Sequence, residues 1–154
     1  MSAWTATIEK LREGGLYCEA WGIRGERAAA DLENALSVKL PSAVATFVEE
    51  LGNLRIDPFD VCIAGDSAGT IGAVAATKSL QETSGEPLPL DCMQIMEHAG
   101  EVYILRAATG AVAAYEALRV VQGHETLEWA CFKDFLDWVV VEAQRFQYAG
   151  DLGL

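Results

Sequence analysis

The sequence predicts a single α+β domain: a largely antiparallel sheet, helices ahead of it, and a C-terminal helix packed on it. Three observations predict this. Helical periodicity dominates residues 3–52, short strand-length apolar runs occupy the middle of the chain, and a strongly amphipathic helix returns at 132–147. Helices first, strands next and a helix last is the order of an α+β fold, not of alternating βαβ units. A chain of 154 residues, 51% apolar, is long enough for one core and too short for two.

Residues 3–13 read as a short helix that stops at Gly14-Gly15. Residues 16–25 carry no clear period. A second helix is expected from about Glu26 to Leu36, with Ala28, Leu32, Ala35 and Leu36 on one face. Pro41 suits the first turn of a third helix. That helix carries Val44, Phe47, Val48 and Leu51 at i, i+3, i+4 and i+7, and stops at Gly52. "NLRID" and "DVCIA" are short strand candidates. Residues 70–77 fit strand or helix equally. "QETSGEPLPL", residues 81–90, reads as the clearest loop. "CMQIME", "VYILR" and "AVAAY" are strands, the last two joined by a turn in which Gly110 supplies a positive φ. Residues 121–128 read as a second loop. The closing helix sets Phe132, Phe135, Leu136, Val139, Val140, Ala143 and Phe146 on one face. The layout expected is an N-terminal helix and connector over 1–23, a core over 24–147 and a tail over 148–154.

The formal net charge is -12, and the excess is uneven. Residues 1–78 hold 11 acids and 7 bases, while residues 79–154 hold 12 and 4. Such a surface repels phosphate, which argues against a nucleic-acid partner. It suits either solubility alone or a basic protein partner. No apolar run reaches membrane-spanning length, and no secretory h-region opens the chain, so the cytoplasm is the expected compartment. Cys18, Cys62, Cys92 and Cys131 form no C-x-x-C pair. His98 and His124 have no second ligand at helical or hairpin spacing. No metal or cofactor is expected.

Gly65-Asp66-Ser67-Ala68-Gly69 fits G-x-S-x-G, the nucleophile elbow of serine hydrolases, and follows the apolar run Val61 to Ala64. A hydrolase also needs a histidine, an orienting acid and oxyanion donors. Only His98 and His124 follow Ser67, with Asp91 ahead of the second, and no histidine-glycine stretch precedes the serine. The 87 residues after Ser67 read as hairpins and one helix, too few for the remaining units of that fold. The reading favoured is a turn in which Asp66 or Ser67 bonds the local backbone.

Three stretches in order resemble the SUKH superfamily, which includes the Smi/Knr-type proteins. "AAADLENALSVKLPSAVATFVEELGNLRI" supplies Leu36, Val38, Leu40, Pro41, Phe47 and Gly52 at family positions, with Ser37 where glycine is usual. "PLPLDCMQIMEHAGEVYILRAATGAVAAYE" supplies Gly100, Glu101, Tyr103, Gly110, Val112 and Tyr115, with Glu101 and Arg106 where aspartates are common. "CFKDFLDWVVVEA" supplies Phe132, Phe135 and Leu136. The resemblance implies a non-catalytic binding protein, and in many bacterial members an immunity protein that neutralises a secreted toxin, often a nuclease. A scaffold or regulatory module is the alternative it leaves open, and a small serine hydrolase using Ser67 is the third.

A helical wheel places Val141 opposite the apolar face of the closing helix, with Asp134, Asp137, Trp138 and Arg145 around it. Trp138 and Val141 flanked by acids suit a partner-binding surface. The reading favoured is that they pack against the N-terminal helix or residues 16–25, with a homodimer contact as a third option. Glu97 and Glu101 bracket a turn, where acids can reach a basic groove or simply be solvated. Trp21 is a further candidate anchor, with a core position the simpler reading.

Overall fold

The computed structural model describes residues 3–85, 88–116 and 125–151. Its architecture is α+β, with five helices and two antiparallel sheets among the described residues. Helix α1 (Ala3–Glu13) leads into strand β1 (Cys18–Trp21), helix α2 (Ala28–Leu36) and helix α3 (Ser42–Leu51). Strands β2 (Asn53–Ile56) and β3 (Phe59–Cys62) follow, then helix α4 (Ala73–Ser84). Strands β4 (Cys92–His98), β5 (Glu101–Arg106), β6 (Val112–Glu116) and β7 (Glu125–Trp129) precede helix α5 (Phe132–Asp151). The sheets run β1-β2-β3 and β4-β5-β6-β7.

The helices form where apolar spacing demands them. Val44, Phe47, Val48 and Leu51 of α3 are all buried, and Gly52 ends the helix at φ 71°. Phe47 sits at the centre, edge-on to Trp4 of α1 and Phe132 of α5 at 5.5 and 5.2 Å. A Phe→Ala change at so buried a site costs about 3–5 kcal/mol. The Trp4 N–H at the start of α1 donates to Glu50 of α3 at 3.1 Å, so a neighbouring helix satisfies one of its orphan donors. Ser37 ends α2 at φ 55°, a left-handed conformation that glycine adopts without steric cost.

Strands β4, β5 and β6 of the four-stranded sheet are largely buried on both faces, while β7 is exposed. Tyr103, Leu105, Val112 and Ala114 face the main core with α5. Val102, Ile104 and Tyr115 face the other way, in a second cluster with Leu80 of α4. This double cover is why β4 and β5 read as nearly continuous apolar runs.

Four expectations need correction. The segment without a period contains β1, which pairs with β2 from Cys18↔Ile56 to Trp21↔Asn53. Residues 81–84, read as loop, complete α4, whose polar "QETS" end stays helical up to Gly85 at φ 74°. Residues 125–128, also read as loop, belong to β7, paired with β6. The α5 helix runs on to Asp151, into the supposed tail, and Phe146 is 49% exposed although its ring meets Phe59 at 5.7 Å.

Candidate functional site

The elbow-like stretch is built from strand end, glycine and turn. Asn53, fully buried, receives the N–H groups of Ile63 (2.8 Å) and Gly65 (2.9 Å) on its side-chain oxygen, and its amide donates to the carbonyls of Trp21 and Gly65. Gly65, at φ 83°, leaves no room for a β-carbon beside the Ile71 carbonyl. Beyond it, Asp66 accepts from the Thr70 N–H (3.0 Å) and hydroxyl (2.9 Å). The Thr70 hydroxyl and the backbone N–H groups of Thr70 and Ile71 hold the Asp66 carboxyl below its usual range. This is the turn chemistry expected of Asp66.

Ser67 is exposed in that turn, and among the described residues its hydroxyl has no hydrogen-bond partner. Helix α4 starts only at Ala73, whereas an elbow serine sits at the junction of strand and helix. The His98 ring is engaged elsewhere, against Phe59 at 4.4 Å and Phe146 at 5.9 Å. His124 lies outside the described residues. Among the described residues, no three His, Cys, Asp or Glu side chains gather so as to hold a metal ion.

The acidic candidates separate. Glu97 pairs with Val102 and lines a groove of about 520 Å³ between α4 and β4, together with Gly72, Ala76, Ser79, Thr83 and Gln94. Glu101 lies on the opposite face of the sheet and accepts from the Thr126 hydroxyl at 2.6 Å. Two acids that bracket one turn therefore do not form one acidic site, because Glu97 pairs with Val102, the neighbour of Glu101 on β5, and neighbours along a strand point to opposite faces.

On α5, the Trp138 ring meets rings of β3, β5 and β7. It is half-buried against Trp129 (4.8 Å), Tyr103 (5.8 Å) and Phe59 (6.0 Å), so the apolar face of α5 is wider than the wheel allowed. Val141 beside it is 46% exposed. Asp134 is exposed with no ion pair among the described residues, while Asp137 meets Lys133 at 2.9 Å across one helical turn. Such an exposed pair is screened by solvent and contributes little to stability. Burial, with Glu101 and Glu142 adding repulsion, pushes the Tyr103 hydroxyl up to about 12. Trp21 is half-buried and donates from its indole N–H to Asp60 at 2.9 Å.

The sequence reading missed Leu127 and Trp129 of β7. Leu127 pairs with Ala114 and through it lines up with Tyr103, which places it on the α5 side at the open rim, 45% exposed. The signal was the alternation in "ETLEW", too short to stand out beside Gly123. Leu127, Trp129, Trp138 and Val141 thus form an apolar strip along β7 and α5.

No family model matches the chain, and no curated protein matches it. Among the described residues no helix is long and apolar enough to cross a membrane.

Proposed function

We propose that this chain is a non-catalytic binding protein of the SUKH kind that neutralises a basic, nuclease-type toxin domain by covering its active surface. The observation that carries the reading is the sign and placement of charge: -12 in all, concentrated in the half of the chain that supplies β4–β7 and α5. A domain that cleaves nucleic acid must be basic to hold phosphate, so an acidic surface both steers encounter with it and competes for the same groups. The three-part resemblance supports the same reading. Ser67, unpartnered among the described residues, supports no covalent role.

Co-expression tests it. Cells carrying a secreted-toxin gene from the neighbouring locus are expected to survive with this protein and to die without it, and Ser67→Ala is expected to protect as well as the parent. Failure to bind or rescue against every neighbouring toxin domain would end the proposal.

A further inference from the structure

The two edges of the four-stranded sheet are treated differently. At β4, the Gln94 N–H donates to the Thr77 hydroxyl of α4 at 2.9 Å, so a helix closes that edge. At the other edge, among the described residues, no backbone group of β7 is bonded on the side away from β6. An open edge presents unpaired N–H and C=O groups in a row, ready to pair with another strand.

The side chains of β7 are sorted by face. Glu128 pairs with Ala113 and, across a bulge at Thr126, Glu125 pairs with Tyr115, so that both face the α4 side. Leu127 and Trp129 pair with Ala114 and Val112, both facing the main core. The edge therefore offers glutamates on one face and an apolar rim on the other. Val141 and Trp138 extend the apolar rim along α5, with Asp134 beyond it.

We infer that β7 is a docking edge for an extended, basic segment of a protein partner, in which lysine or arginine alternates with apolar residues. The segment adds to the sheet by main-chain hydrogen bonds. Its cations lie over Glu125 and Glu128, and its apolar side chains lie on Leu127, Trp129 and Val141. The charge selects this occupant over a second copy: an antiparallel β7–β7 pair that continues the sheet sets four glutamates on one face, where like charges destabilise pairing. This inference rests on the binding role proposed above and names its surface.

The probe is a peptide of about ten residues alternating lysine and valine, long enough to span the strand. The first control is a block peptide of the same composition. The second is the alternating peptide with every second nitrogen methylated, which blocks edge pairing at constant charge. The alternating peptide is expected to protect the amides of residues 125–129 from hydrogen exchange and to bind about tenfold more tightly than either control. Leu127→Asp and Glu128→Lys, both at exposed positions, are expected to abolish that preference while leaving the melting temperature unchanged. Equal binding of all three peptides, or protection appearing elsewhere, overturns the inference. So does a dimer without peptide that Leu127→Asp dissolves. If the two variants still neutralise a toxin that the parent neutralises, the surface is wrong and the role stands. If no toxin is neutralised but β7 takes the alternating peptide, the role is wrong and the surface stands.

Discussion

Asn53 holds Gly65 from both sides: the Gly65 N–H donates to the Asn53 side-chain oxygen at 2.9 Å, and the Asn53 amide donates to the Gly65 carbonyl at 3.0 Å. The same side chain takes the Ile63 N–H and reaches the Trp21 carbonyl, tying the end of β1 to the segment after β3. Asn53→Ala strips all four bonds in a buried place. An unsatisfied buried group costs about 1–3 kcal/mol, so a loss of about 3 kcal/mol is expected from denaturant unfolding. Amide exchange at residues 63 and 65 should accelerate with it, and a loss under about 0.5 kcal/mol would mean that water replaces the side chain.

Ser37 (φ 55°) and Ala99 (φ 51°) both adopt the left-handed conformation without being glycine. Ala99 and Gly100 (φ 82°) together form the two-residue turn of the β4–β5 hairpin, a geometry that favours Asn-Gly. Ser37→Gly and Ala99→Asn are each expected to stabilise the fold by about 0.5–1 kcal/mol. Thermal unfolding of the single and double variants checks this, with additive gains expected because the sites are separate.

The thiols differ in reactivity. Burial first, then the carboxylate of Asp60, pushes Cys62 up to about 12, and burial likewise raises Cys18 and Cys92. Cys131 is exposed. Since the thiolate is the reacting species, iodoacetamide at about pH 8 should label Cys131 and spare the other three until the protein is unfolded. Peptide mass spectrometry reads the outcome, and labelling of Cys62 at the rate of Cys131 would refute the packing around β3.

Asp66 gives a pH dependence of definite sign. Its carboxyl is held below 3.8 by the Thr70 hydroxyl and the N–H groups of Thr70 and Ile71. A depressed folded-state pKa makes a contribution that is present above the unfolded value and lost as pH falls through the folded one. The Thr70 and Ile71 amide resonances are therefore expected to move with a midpoint below the ordinary aspartate range, and Asp66→Asn should remove that titration. Ser67→Ala should leave it in place.

Local pattern and tertiary cover divided the work of specifying this protein. The helices α1, α3 and α5 were legible because their periodicity lies within a few turns of chain: Phe47, Phe132 and Phe135 went to the core their spacing demanded. Gly52 and Gly110 were legible because positive φ is a local need of the backbone. Of the candidate surface, the sequence placed Asp134, Asp137, Trp138 and Val141 together on one helix. It did not show that Trp138 leans on Trp129, or that Glu97 and Glu101 part to opposite faces. Those depend on which strand lies beside which, and pairing partners are far apart in the chain. The run Ala73 to Thr77 fits either period, and became helix because Leu80 and Thr77 cover β4 and its neighbours. The sequence by itself determined the amphipathic helices and the turns. Only the tertiary structure decided the division into two sheets and, among the described residues, the unpaired edge of β7 and the exposure of Ser67, because burial of a face depends on what packs across from it.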